Sequence, residues 1–349
     1  MDAPPGLDTG RFPTHFPQVA GRRLPAGAAF PLLGFSTMPL PVDKADIAAA
    51  AERIRPHVRL TPLLDCSAGD FGLTLPISLK LEFLQHTGSF KPRGAFNTLL
   101  STTVPAAGVA AASGGNHGAA VAYAARTLGH RAKIFVPEIS SPIKIARIRQ
   151  AGADIVVEGA RYSDALALCE AYIAETGALS IHAYDAAATI AGQGTVGLEF
   201  DRQKPDLDTV LVSVGGGGLI AGIAAWFEDA VRVIGVEPEG SCALHAALQA
   251  GGPVDVSVDS VAADSLGAKN TGARVHAIAE RYVNEVVLVP DEAIVAAQKR
   301  LWAECQIISE PGGATALAAL MCGAYRPKAG ERVGVLVCGA NTGFDVFTG

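Results

Sequence analysis

Residues 86–97 read HTGSFKPRGAFN, with a lysine set directly before a proline, Phe90 ahead of it and Arg93 after it. Proline suits the first position of a helix, where its missing N–H would have had no partner. The residue before a proline is pushed out of the α region, so Lys91 is expected as the last non-helical residue and Pro92 as the first helical one. Phe96, Leu99 and Leu100 then share one face of the helix that follows. Lys91 thus lies near the positive end of a helix dipole, among apolar neighbours. Both effects disfavour the ammonium and favour a neutral, nucleophilic amine. A solvated lysine at a helix start is the plainer reading of the same residues.

Around this turn the chain alternates. The runs PISLKLEFL, RAKIFVP, ADIVVEGA, TVLVSVGGGG, VRVIGVEPEG, EVVLVP and ERVGVLVCGAN are β-branched stretches closed by Gly, Pro or Asn. Between them lie amphipathic stretches such as SPIKIARIRQAG and DEAIVAAQKRLWAEC, with apolar spacing near 3.6. Strands alternating with helices predict an α/β protein with mostly parallel open sheets covered by helices. Ligands of such folds gather at the carboxyl ends of the strands.

Composition narrows the function classes. Of 349 residues, 49% are hydrophobic, enough for a large core, and the formal charge is −6 with no basic stripe, which speaks against nucleic acid and anionic membrane as partners. Six cysteines lack any CxxC or short Cys/His spacing, which predicts neither a zinc site nor a disulfide framework and suits a reducing cytoplasm. No apolar run has the length of a membrane span, and the N-terminus lacks the pattern of a secretory signal. Residues 1–42 are rich in Pro and Gly without periodicity and read as an N-terminal extension, with the regular fold starting at VDKADIAAAAERI. Met38 near its end allows an upstream mis-assigned start, and a partner-binding arm is the alternative.

Three further turns stand at strand ends. In SGGNHG, residues 113–118, two glycines let backbone approach a ligand, helix-start N–H groups form an anion site, and Asn116 adds a donor and an acceptor; an N-capping turn with exposed His117 is the alternative. In SVGGGGLIAG, residues 213–222, four glycines between a strand and a helix make a cradle for phosphate, where a tight turn alone needs one or two. In VLVCGANTG, residues 335–343, Cys338 sits at a strand end beside glycine, as a site residue or as a buried structural thiol. A dinucleotide reading competes: Gly216, Gly218 and Gly222 fit a relaxed fingerprint, with Glu237 at the end of the next strand. The strict pattern fails because position 220 is Ile, and the lysine turn is left without a purpose.

Taken in order, SFKPRGA, SGGNHG, AGQGT (191–195), GGGGL, EPGGA (310–314) and CGAN resemble the pyridoxal-phosphate enzymes of fold type II, and within them the threonine/serine dehydratases. The resemblance covers about residues 43–345. It implies a two-domain fold like that of tryptophan synthase β, with a large cofactor-binding domain from 43–107 and 186–349 and a small mobile domain at 108–185. It implies pyridoxal 5'-phosphate held covalently by Lys91. Phe90 would pack on the pyridine ring, Asn116 would meet the ring hydroxyl oxygen, and Gly215, Gly216, Gly217 and Gly218 would cradle the phosphate. Cys338 would face the ring nitrogen, which a thiol cannot protonate as a carboxylic acid would. Ser113, Gly115, Asn116 and His117 would bind the substrate carboxylate.

The reaction implied is dehydration and deamination of L-threonine, L-serine or a related 3-hydroxy amino acid to a 2-oxo acid and ammonia, with the freed Lys91 amine as base. A homodimer is implied by the same resemblance. Some relatives hold a metal near the position of Glu237, but their second carboxylate falls on Ala243, so no metal is expected. At 349 residues, no regulatory domain like that of the biosynthetic threonine deaminases is expected. The related serine racemases carry an opposite-face serine where this chain has Gly114, so elimination without racemisation is expected. The alternatives are a sister reaction (racemisation, β-replacement, a bulkier 3-hydroxy substrate), a nicotinamide-dependent oxidoreductase, and a non-catalytic binding relative.

Overall fold

A computed structural model describes residues 40–344. Its ten strands, in chain order, are β1 (Leu63–Cys66), β2 (Ile77–Leu81), β3 (Val109–Ala112), β4 (Ala132–Val136), β5 (Asp154–Val157), β6 (Leu179–Ser180), β7 (Thr209–Ser213), β8 (Arg232–Pro238), β9 (Glu285–Val289) and β10 (Val333–Val337). They form two sheets, one ordered β1-β2-β10-β7-β8-β9 and the other β5-β4-β3-β6. Every pairing is parallel except β1 with β2. That exception follows from chain length: residues 67–76 suffice to reverse an antiparallel pair but hold no crossover helix. The two-residue strand β6 has no periodic signature and is absent from the sequence reading.

The central strands β2, β7 and β10 are buried at every residue, as expected of a sheet covered on both faces. Successive residues face opposite cores. Val212 and Leu336 join Ile190 and Ile220 on one side, while Leu211 and Val335 join Leu79 and Leu317 on the other. The four-stranded sheet has its own apolar layers, around Ile134 and Val121 on one face and Phe135 and Cys169 on the other.

The helix Lys44–Ile54 is opened by Asp43, whose side chain and that of Asp46 satisfy each other's backbone N–H in a capping box. Val42, counted with the extension in the sequence reading, is 1% exposed and belongs to the core. Residues 1–39, including Met38 and most of the expected extension, lie outside the described residues.

The lysine helix starts one residue earlier than expected and runs Lys91–Ser101. Its first turn closes on Phe90, which is itself helical (φ −59, ψ −18), accepts from Arg93 N–H at 3.1 Å and donates its own N–H to Cys338 O at 3.2 Å. Pro92 then falls in a first-turn position where no intrahelical N–H is required. Arg93 anchors this turn from beneath. Its guanidinium binds Glu82 at 2.7 Å and Glu199 at 3.0 Å, and Glu199 also binds Lys80 at 2.5 Å, all below the surface. A buried cluster of two cations and two carboxylates thus ties β2, the lysine helix and the helix Ala187–Gln203 together. Among the described residues no helix is long and apolar enough to cross a membrane.

Candidate active site

The four turns singled out in the sequence meet. β10 lies between β2 and β7, so the segments after these three strands are neighbours, and the loop after β3 joins them from the other sheet. Ser89 bridges Gly339, and Ala340 N–H donates to Gly88 O at 3.0 Å, which closes the lysine turn onto the turn after β10. A recess between these segments is lined by Phe90, Lys91, Asn116, Gly215, Gly216, Gly217 and Cys338.

Lys91 Nζ donates to Ala183 O at 3.0 Å and stands 5.1 Å from the centre of the Phe90 ring. Burial pulls its amine down to about 8, against the opposing influence of Cys338 and Glu310. No carboxylate pairs with it among the described residues. Cys338 Sγ lies 3.4 Å from Gly312 O, and burial raises its thiol far above its ordinary range, so it is a neutral group.

The glycine turn carries the test of whether a phosphate fits. Among the described residues, the N–H groups of Gly215, Gly216, Gly217 and Gly218 have no hydrogen-bond partner. They precede and open the helix Gly218–Phe227, whose dipole adds to their positive potential. Side chains are excluded at each position. A Cβ at 215 would lie 2.8 Å from Leu266 Cα, one at 218 would lie 2.7 Å from Tyr184 O, one at 216 would enter the Tyr184 ring, and Gly217 has φ +83. Free backbone donors at a helix start, beside a buried amine, fit a phosphorylated aldehyde cofactor.

The loop after β3 is less uniform than expected. Asn116 faces the recess and begins the helix Asn116–Thr127. Ser113 Oγ accepts from Gly115 N–H at 3.3 Å. His117 is turned inward, 7% exposed, with Nε2 at 2.8 Å from Ile181 O and its imidazole held neutral at about 3 by burial and by Lys91. What this residue offers a ligand is therefore its backbone. At Gly114 the place of a side chain is filled by Ser140 Oγ, from the loop after β4.

Glu237 is not a ribose acid. Its two oxygens accept from Leu244 N–H at 2.9 Å and His245 N–H at 2.8 Å, so it caps the helix Ala243–Ala250, and burial pushes its carboxyl up to about 8. Among the described residues no group of three or more His, Cys, Asp or Glu side chains is placed to hold a metal ion.

Tyr184 and Glu310, both lining the recess, had no assigned role in the sequence. Tyr184 packs its ring against Gly216, and burial raises its phenol to about 12. It lies in the segment 181–186, which has neither periodicity nor a glycine signal. Glu310, within the quoted EPGGA, is 2% exposed and accepts from Asn116 Nδ2 at 2.6 Å. An isolated acid before Pro-Gly-Gly reads as a helix start, and only the fold brings it to the lysine.

Comparison with known proteins gives a concordant picture. A sequence model of the family described as pyridoxal-phosphate dependent enzyme matches residues 54–339. A phenylserine dehydratase of Ralstonia pickettii is 39% identical over 322 residues, spanning 90% of this chain and 97% of that protein. An L-threonine ammonia-lyase of Geobacter sulfurreducens is 39% identical over 295 residues, 83% of this chain and 73% of that protein. Among solved structures, maize serine racemase superposes with a TM-score of 0.82 at 31% identity, covering 87% of this chain and 95% of that one. A threonine deaminase from T.th. superposes with a TM-score of 0.80 at 35% identity, covering 86% of this chain and 99% of that one.

Proposed function

This chain belongs to the pyridoxal-phosphate dependent enzymes, and from that membership we propose that it dehydrates and deaminates L-threonine, L-serine or a related 3-hydroxy amino acid to a 2-oxo acid and ammonia. The observation that carries the reading is Lys91: a desolvated, half-buried amine that, among the described residues, pairs with no carboxylate, its basicity lowered to about 8, beside a glycine cradle whose N–H groups have no partner among those residues. Relatives of nearly equal identity, named for phenylserine and for threonine, support the 3-hydroxy amino acid class and leave both small and aromatic β-substituents within it.

Lys91 would hold the cofactor and Gly215 to Gly218 its phosphate, with Phe90 against the ring. When bound, pyridoxal phosphate supplies an electron sink for the charge that develops at the substrate Cα. The chain's own groups do the rest. The backbone N–H groups at the start of Asn116–Thr127, with Ser113, orient the substrate carboxylate. Lys91 Nζ takes the proton from Cα, a task suited to an amine whose pKa lies near neutrality. Cys338, kept a neutral thiol, would offer the ring nitrogen only a weak partner and so would leave the cofactor a moderate electron sink.

Residues 108–185, which carry the four-stranded sheet, are proposed to close over substrate. Support comes from the ion pair between Lys144 on the helix Pro142–Gln150 and Asp264 beside the recess, which spans the two sheets' layers. A homodimer in the cytoplasm completes the proposal, and six free cysteines are compatible with that compartment. The test is incubation with L-threonine, L-serine and phenylserine while 2-oxo acid and ammonia are measured. Equimolar formation of both from at least one substrate is expected, and none from any of them overturns the assignment.

A further inference from the structure

We propose that Glu310 and Asn341 are positioning residues that lock the Asn116 carboxamide in one orientation, so that it meets the cofactor only as a hydrogen-bond donor; the inference rests on the functional reading above. A carboxamide can present either its oxygen or its nitrogen, and neighbours decide which. Asn341 Nδ2 has two protons and two oxygens to receive them, Thr87 O at 2.8 Å and Asn116 Oδ1 at 2.6 Å. Turning Asn341 over would set its own oxygen against both. Asn116 must therefore give its oxygen to Asn341. Its nitrogen then faces Glu310 Oε1 at 2.6 Å. One N–H of Asn116 remains, on a side chain that lines the recess beside Lys91. A group met there must accept, which selects the oxygen of a ring hydroxyl and favours its deprotonated form.

The arrangement is built for this contact. Glu310 is 2% exposed and, among the described residues, its Oε2 has no partner, so the carboxyl is buried with a single hydrogen-bonded oxygen. A Cβ on Gly339 would occupy the place of Glu310 Oε1, so glycine is needed there for the carboxyl to reach Asn116. Burial raises the Glu310 carboxyl above its ordinary range, against Lys144, the Asn116 hydrogen bond and Arg147, which favour its charged form. The orientation survives either state, because a proton on Glu310 takes the free Oε2 and leaves Oε1 as acceptor.

The test uses the holoenzyme and its apo form. Cofactor affinity is read by absorbance titration, the absorption maximum of bound cofactor by spectrum, and folding by the melting of the apo protein. Glu310→Ala and Asn341→Ala should each weaken cofactor binding roughly tenfold and move the absorption maximum. Glu310→Gln keeps an acceptor oxygen and should restore affinity to within about twofold of the parent. In an Asn116→Ala background the Glu310→Ala and Asn341→Ala effects should vanish, because both act through that carboxamide. If Glu310→Ala does not fold, Glu310→Gln and the Asn341→Ala cycle carry the same decision. Undiminished effects in the Asn116→Ala background, a Gln variant as impaired as the Ala variant, or an unmoved spectrum would each overturn the inference. In those cases a parent enzyme that still captures cofactor keeps the functional reading intact. A parent that captures none overturns that reading itself.

Discussion

Two lysines eleven residues apart in sequence (91 − 80), Lys80 fully buried and Lys91 half-buried, meet opposite surroundings. Lys80 on β2 directs Nζ at three acceptors, Glu199 at 2.5 Å, Thr61 O at 2.8 Å and Gln203 at 2.8 Å. Among the described residues Lys91 Nζ has one hydrogen-bond acceptor, Ala183 O at 3.0 Å. Burial pulls both amines down and nearby groups oppose it at both, Glu82 and Glu199 at Lys80 and Cys338 and Glu310 at Lys91, but at Lys80 every proton of the ammonium is used. Burial by itself does not make a reactive lysine. The absence of a carboxylate in direct contact does, which is why one of these residues anchors the fold and the other is available for chemistry.

The largest effect that sharpens this contrast is expected from Lys91→Ala. Its turnover should fall by at least about a thousandfold while the melting temperature stays near that of the parent, since base and cofactor attachment are lost together and no ion pair is broken. Near-normal ammonia release from L-threonine or L-serine by this variant would erase the distinction. Lys80→Met is the converse. It leaves Glu199 partly uncompensated beneath the surface and should destabilise by about 3 kcal/mol in urea unfolding, with Lys91 still taking up cofactor in the folded fraction. A Lys80→Met protein with unchanged stability and no turnover would reverse the roles assigned to the two lysines.

The pH dependence of cofactor capture reads the Lys91 environment directly. The amine reacts only when unprotonated. Below about 8, capture of pyridoxal phosphate by the apo protein should speed up as pH is raised, roughly tenfold per unit, and level off above it. Stopped-flow absorbance follows this, and a rate still climbing toward pH 10 would mean that Lys91 is solvated like an ordinary lysine. The smallest effect is expected at Cys338. Cys338→Ser should keep turnover within roughly tenfold, because a hydroxyl still meets the ring nitrogen. Cys338→Asp should change the spectrum of bound cofactor, and an unaltered spectrum would reduce Cys338 to a core residue.

Much of the site was legible because its signals are local. Lys91-Pro92 marks a helix start, four glycines mark a turn that side chains cannot enter, and short β-branched runs mark buried parallel strands. The misses share a different origin. Tyr184 lies against Gly216, 32 positions later in the chain (216 − 184), and nothing in its own segment announces that contact. Ser140 fills the space beside Gly114, so the missing side chain of the loop is answered by a hydroxyl from another strand end. A Gly114→Ser change would have to displace Ser140 first. The helix boundary at Lys91 moved by one residue because a hydrogen bond from Phe90 to Cys338, 248 residues away (338 − 90), fixes where the turn closes.

The sequence by itself determined the class of fold, the candidate amine and the candidate phosphate turn, since periodicity, proline and glycine act on the backbone within a few residues. Only the tertiary structure decided which strand ends abut, and with them the chain of contacts from Thr87 through Asn341 and Asn116 to Glu310, whose successive partners are 254, 225 and 194 residues apart. It also decided that Lys80 is paired and Lys91 is not. Hydrogen-bond orientation and charge compensation depend on which groups lie within about 3 Å, and that is set by strand order and packing rather than by any local run of residues.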